Sequence, residues 1–375
     1  MRPVLLPAAR RLWRDRSTLQ FGRTRSLALV LEGLDPPAQD VLALLDGGLT
    51  REEVLSHPGA GPLLCLLEQA GLVVDADELT AGLRGLPMVE RDKLAPDVAS
   101  LSLSRLRPPT AAYDPAPAPA TDPATDLACS ARNALTARRA ASVLVRGVGR
   151  IGAPLACLLS AAGVGDVRGV DVGTTAPQDL SVGGLTARDL GRPRAEALSR
   201  RLAAPPGCGP HPRGEEPPPA RLSLQPPGYR PDLVVLTGPE EDDAATAALL
   251  AADGQPHLVA AVVERTGIVG PLVLPGRSPC LHCLDLTRTD LDPGWPVLAA
   301  QLHAPDRSIA VGDGVLAVAV AAQTALQVLQ YLEGSIPAAA GGTLEIELPG
   351  WRWRRRSWPL HPDCGCAWST VRQVG

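Results

Sequence analysis

Lysine is almost missing from this chain. Of 375 residues only Lys93 is one, and arginine supplies the rest of the 36 basic side chains. That excludes a P-loop, whose lysine follows a glycine-rich turn, and lysine Schiff-base chemistry in the main fold. Charge of one sign is not in excess either: 36 basic residues stand against 40 acidic ones, and a formal net charge of −4 gives no general nucleic-acid surface. Eight cysteines are too few for a disulfide scaffold. The N-terminus runs through Arg10, Arg11, Arg14 and Arg16 without the apolar stretch of roughly 7–15 residues that marks a secretory signal, so a cytoplasmic location is expected. The most apolar run, Val311 to Leu332, is interrupted by Asp313, Gln323, Gln327 and Gln330, which reads as a buried core helix with no membrane span. No fixed-period repeat, no G-x-S-x-G and no H-E-x-x-H occurs.

Hydrophobic residues make up 45% and charged residues 20%, enough to build cores over most of the chain. Glycine (37) and proline (39) gather in a few stretches that mark joints between folded parts. A winged-helix-like α+β domain is expected over residues 1–90, a Pro/Ala-rich linker over 91–128, and an α/β Rossmann-like domain over 129–375, interrupted by a mobile Pro-rich loop over 203–231. In the first part, alternation from Leu12 to Leu31 predicts short antiparallel strands. Asp35-Pro36-Pro37 opens a helix, Thr50 and Glu53 form a capping box for a second, and Gly61-Pro62 opens a third that stops at Gly71 before a returning strand at Leu72-Val73-Val74.

In the second part a buried strand, Ser142 to Arg146, runs directly into Gly147-Val148-Gly149-Arg150-Ile151-Gly152 and an apolar helix. Such glycines let backbone N–H groups approach a phosphate at the positive end of a helix. After the next strand, Val167 to Val170, Asp171 stands near the spacing of about 20 residues at which this fold places a ribose-binding acid. The alternative is that Gly147, Gly149 and Gly152 only permit close packing in a nucleotide-free core.

Cys280-x-x-Cys283 and Cys364-x-Cys366 brought together would make a four-thiolate tetrahedral zinc site, structural because every position is filled. The second pair is tighter than the usual gap, which leaves His361 or His282 open as a substitute ligand, and buried free thiols are the bland alternative. Cys65 and Cys157 read as core positions, Cys129 borders the linker, and Cys208 lies in the Pro-rich loop.

The segment from Val143 to Leu198, with the glycine motif, Ala162-Gly163-Val164-Gly165, Val170-Asp171 and Asp189-Leu190-Gly191-Arg192-Pro193-Arg194, resembles the ThiF/MoeB superfamily of ubiquitin-activating-type enzymes. The resemblance extends through Pro279 to Leu284, the apolar helix after Gly312 and the C-terminal cysteine pair. It implies ATP and magnesium, adenylation of a C-terminal carboxylate, and Gly147, Gly149, Gly152, Asp171 and Arg194 as nucleotide-binding positions. It also implies a homodimer through this domain, to which the helix from Asp313 would contribute unless it serves the core.

Several positions depart from the pattern. Gly173 stands where a second acid is expected, Val182 where an arginine is expected, and Arg194 where a lysine is expected. After the strand at Leu233 to Leu236, where magnesium would find an aspartate, the chain reads Thr237-Gly238-Pro239, leaving only Glu240 or Glu241. Each lost phosphate-neutralising group typically costs ~10²–10³ in rate, so the site is expected to be degenerate.

The N-terminal part, with Arg2-Pro3-Val4-Leu5, Leu31-Glu32-Gly33-Leu34, Thr50-Arg51-Glu52-Glu53 and Gly71-Leu72-Val73, resembles PqqD-like leader-peptide-recognition domains. An ordinary winged helix that binds DNA or only packs is the alternative. The combination looks like the ThiF-like partner proteins of azole and azoline (TOMM) peptide biosynthesis. That resemblance implies a protein that recruits a precursor leader peptide to a YcaO-type cyclodehydratase. The alternatives are an active ATP-dependent adenylyltransferase acting on a peptide or sulfur carrier, and an NAD(P)-dependent oxidoreductase, which would leave the cysteine pairs unexplained.

Overall fold

The computed structural model describes residues 1–21, 29–81, 83–103, 131–203, 228–237, 240–302 and 313–366. The chain divides into two compact units, residues 1–137 and 138–375.

In the first unit β2 (Arg11–Trp13), β3 (Leu19–Phe21) and β4 (Leu29–Leu31) form an antiparallel sheet, with Leu19, Phe21 and Leu31 turned into the core. The helices α1 (Pro36–Leu44), α2 (Arg51–Leu55) and α3 (Ala60–Gln69) follow. Asp35 caps α1 by accepting the Ala38 N–H at 3.0 Å. At α2 the box is reciprocal, because Thr50 Oγ1 accepts the Glu53 N–H while the Glu53 carboxylate accepts the Thr50 N–H at 2.7 Å. The returning strand β5 (Val73–Asp75) pairs with β1 (Pro3–Leu5), which the sequence reading left unpaired.

After α4 (Ala76–Ala81) the chain forms α5 (Met88–Ser102). This corrects the linker expected over 91–128, whose first part is helical. Pro96 removes one N–H from that helix, but Leu94 and Val98, one turn apart, are buried with Leu86 and Leu135 in a small apolar cluster. The proline-dense stretch 107–126 and most of the loop at 203–231 lie outside the described residues.

The second unit is built on a seven-stranded sheet in the order β12-β11-β10-β9-β8-β6-β7. The strands β7 (Asp166–Val170), β6 (Ser142–Arg146), β8 (Leu233–Leu236) and β9 (His257–Val263) run parallel. The strands β10 (Thr266–Val273), β11 (Gly342–Glu347) and β12 (Trp353–Ser357) continue it antiparallel. It is an α/β Rossmann-type domain, with α7 (Gly152–Ala161), α8 (Arg194–Ala203) and α9 (Glu240–Ala252) around the parallel half, and α6 (Ala131–Ala140) runs across the boundary between the two units in sequence. Beyond β10 lie α10 (Leu281–Leu291) and α11 (Trp295–Leu302). The last helix, α12 (Gly314–Leu332), is long and apolar enough by length and composition to cross a membrane. It packs on α7, β9 and β10, with Leu316, Val320, Thr324 and Val328 buried, and Asp313 caps it through the Val315 and Leu316 N–H groups.

Candidate functional site

The sheet delivers the glycine loop at the C-terminal ends of β6 and β7. Gly147 has φ +86°, a left-handed conformation open to glycine. Gly152 must be glycine for another reason: a Cβ there would lie 1.8 Å from the Gly147 carbonyl oxygen. The Thr237 hydroxyl, at the end of β8, donates to the same carbonyl at 2.5 Å. Thr237 therefore pins the loop from below.

Asp171, at the end of β7, turns inward. Its carboxylate accepts the Val148 N–H at 2.6 Å and the Gly173 N–H at 2.7 Å. It also accepts Arg194 Nε at 3.1 Å, while Arg194 Nη1 donates to Asp179 at 2.9 Å. The two acids are 8% and 11% exposed and the arginine 25%. A Cβ at Gly173 would stand 1.9 Å from Arg194 Nη2, so the missing side chain at 173 is the space the guanidinium fills. A Cβ at Gly149 would have Asp179 and Arg194 as its nearest neighbours, at 3.8 and 3.9 Å. The glycine loop, Asp171 and Arg194 thus lie at one end of the sheet, with Asp171 bonded both to the loop at Val148 and to Arg194.

Tested against a magnesium-bound triphosphate, the described donors do not fit. Arg194 gives Nε and Nη1 to two carboxylates, which neutralise its charge. Val182 is 83% exposed and offers no charge, and Thr237 turns its hydroxyl into the loop. The Glu240 and Glu241 side chains lie outside the described residues. Asp179 is a site residue that the sequence motifs did not single out; its signal lay in the changes at 173 and 194, where a glycine and an arginine stand in place of the expected acid and lysine.

A second constellation lies at the N-terminus of α10. Cys280 caps that helix and Cys283 sits in its first turn, and the Sγ atoms of Cys280, Cys283, Cys364 and Cys366 all fall within 4.8 Å of one another. The separations of 3.9 Å for Cys280–Cys283, 3.6 Å for Cys280–Cys364 and 3.4 Å for Cys283–Cys366 bracket the ~3.8 Å edge of a tetrahedron with Zn–S near 2.3 Å. These four residues could hold a metal ion. Burial pushes the Cys364 thiol up to about 11 and raises Cys366 further. Burial also acts on Cys283, but backbone N–H groups, that of His361 first, outweigh it and lower that thiol. A divalent cation would displace the remaining protons.

Neither histidine substitutes as a ligand. His282 is exposed, and the buried His361 ring places Nε2 2.9 Å from Asp290 and accepts the Asp363 N–H at Nδ1. His361 shapes the cysteine-bearing turn from outside the cluster. Of the other cysteines, Cys65 is exposed on α3 beside Gln69, which corrects the core reading, because its helical face turns outward. Cys157 is half-buried, and burial raises its thiol. Cys129 and Cys208 lie outside the described residues.

Residues 127–205 match the model of the ThiF family. No curated protein matches by sequence. Among solved structures, E. coli MccB with ATP superposes at a TM-score of 0.66 and 13% identity, over 98% of this chain and 99% of that one. The microcin C7 biosynthetic enzyme MccB in complex with N-formylated MccA gives 0.66 and 13%, over 98% and 100%. PaaA gives 0.63 and 15%, over 94% and 99%. At these identities the likeness is one of fold. The chain carries a ThiF-family segment over residues 127–205, set in a fold that the MccB and PaaA structures share along nearly their whole length.

Proposed function

We propose that this protein recruits the leader of a ribosomally made precursor peptide and presents it to a separate YcaO-type cyclodehydratase, its own adenylation site being degenerate. The observation that carries the reading is the network beside the glycine loop, in which Arg194 bridges Asp171 and Asp179. Positioned charge is nearly all that a protein contributes to nucleotidyl transfer, so a cation neutralised in this way leaves little to catalyse with. The N-terminal unit would take the leader as an added strand on a sheet edge. The four cysteines would hold a structural zinc, in keeping with a cytoplasmic protein. The domain limits we propose extend the recognition part from 1–90 through the end of α5, place the linker after that helix, and leave the ThiF-like domain to the rest.

A second reading, ATP-dependent adenylation of a peptide or carrier terminus, is favoured by the glycine loop itself and by a fold shared with E. coli MccB solved with ATP. Calorimetric titration of the zinc-loaded protein with Mg-ATP, with pyrophosphate release assayed in the same sample, separates the two. The recruitment reading expects no pyrophosphate with or without candidate peptides, and nanomolar-to-micromolar binding of a cognate leader. Pyrophosphate release that disappears in Asp171→Ala would establish the second reading instead.

A further inference from the structure

Among the described residues β12 is an edge of the seven-stranded sheet: β11 pairs with it on one side and no described strand lies on the other. Alternate residues of such a strand turn their N–H and C=O groups away from the sheet, a template for another chain. All five residues from Trp353 to Ser357 are exposed. The segment 351–357 carries Arg352, Arg354, Arg355 and Arg356 and no acid, although the whole chain has a net charge of −4.

Two of these arginines are tied down. Arg355 donates to the carbonyls of Ala338 and Ala340, and the Arg356 guanidinium lies 4.2 Å from the Trp358 ring centroid. Arg352 and Arg354 differ: among the described residues neither has a hydrogen bond or ion pair. Arg354 stands opposite Glu345 in the register, yet the Glu345 carboxylate accepts the Thr343 hydroxyl at 2.8 Å instead.

Charged side chains on an edge commonly serve to repel a second strand. A purely repulsive edge has no use for Trp351 and Trp353, 45% and 36% exposed among the arginines. Charge of a single sign repels basic chains and attracts acidic ones. The Arg354 guanidinium, on the strand, can meet a carboxylate on a neighbouring strand, and Arg352 stands just before the strand as a second cation. The unpaired main-chain groups favour a polypeptide over a nucleic acid, which has no complementary ladder.

We propose that β12 is a docking edge for an extended acidic segment of a partner polypeptide, which adds as a further strand and sets its carboxylates against Arg354 on the strand and Arg352 just before it. This inference stands apart from the recruitment reading and uses none of its residues.

The test titrates the zinc-loaded full chain into a fluorescein-labelled peptide of alternating glutamate and threonine and reads anisotropy. Three comparison probes are the same peptide with glutamine for glutamate, one with prolines replacing central threonines, and a single-stranded oligonucleotide. We expect the acidic peptide to bind, the glutamine and proline peptides to bind about tenfold more weakly or worse, and the oligonucleotide to bind no better than the glutamine peptide. The double variant Arg352→Ala/Arg354→Ala should weaken the acidic peptide about tenfold with zinc content and circular dichroism unchanged. Four results overturn the proposal: no binding of the acidic peptide, equal affinity for its glutamine form, undiminished binding of the proline form, or tighter Arg-dependent binding of the oligonucleotide. The peptide series alone decides the matter if the double variant does not fold.

Discussion

At the scale of single residues, the closed glycine loop rests on a matched pair. Gly173 leaves room for the Arg194 guanidinium, and that guanidinium satisfies Asp171 and Asp179. Gly173→Ala should displace the arginine and cost about 1–2 kcal/mol, less than a fully buried pair because Arg194 is partly exposed. Arg194→Lys should cost a similar amount by losing the two-pronged contact. Because both substitutions break one network, the double variant should cost clearly less than their sum, which a urea-denaturation cycle measures. A second residue gives a pH dependence. His257 is fully buried on β9, its Nδ1 meets the Gln255 carbonyl at 3.0 Å, and its Nε2 has no hydrogen-bond partner among the described residues. Burial lowers its pKa from the ordinary value near 6.5. The unfolded chain then binds the proton more readily than the folded one. Stability contributed by keeping this ring neutral is fully present above about pH 6.5 and falls as pH drops toward the lowered folded value, by up to ~1.4 kcal/mol per pH unit. Denaturation of His257→Phe across that range should show a flatter slope than the parent.

At the scale of elements, the cysteine cluster and a row of arginine–tryptophan contacts share α10. Trp295 donates its indole N–H to Asp285 at 3.1 Å, and Arg288 lies between the Trp295 ring at 4.8 Å and the Trp358 ring at 5.3 Å. Among the described tryptophans Trp358 alone is buried, at 5% exposure. If a metal holds the start of α10 to the C-terminal turn, removing it loosens both contacts. Chelation should therefore shift tryptophan emission to the red, Cys283→Ser should reproduce the shift without chelator, and Trp358→Phe should remove most of it. Sequence reading reached the cluster because C-x-x-C spacing has a direct chemical meaning. It reached α1, α2 and the glycine loop for the same reason: caps and turns are written in adjacent residues, as Asp35, Thr50 with Glu53, and Gly147 show. It failed where meaning lies across distance. Pro96 and the polar surroundings of Leu94 and Val98 hid α5, which exists because those two side chains meet Leu86 and Leu135. The pairing of β1 with β5 joins residues some 70 apart, and the histidine ambiguity at the metal cluster could be settled only by seeing His361 bonded to Asp290.

At the scale of the whole molecule, the chain holds separate apolar cores. One gathers Leu19, Phe21, Leu64, Leu67 and Leu72 in the first unit, and the larger one gathers Val143, Leu155, Leu159, Val235 and Val320 in the second. The cysteines contribute to neither: they pack with Val273 in a cluster of their own, inside the second unit. Because each unit has a core of its own, calorimetry of the metal-loaded protein should resolve two unfolding transitions. Metal that binds only the folded second unit stabilises that unit alone, by an amount set by RT ln(1 + [L]/Kd), or about 4 kcal/mol when free metal exceeds Kd a thousandfold. Chelation should then lower one transition by several degrees and leave the other in place, and Cys366→Ser should do the same. A single transition that moves as one under chelation would mean that the two units unfold together. In that case the metal cluster would govern the stability of the recognition unit as well, and loss of metal would abolish leader binding along with the C-terminal fold.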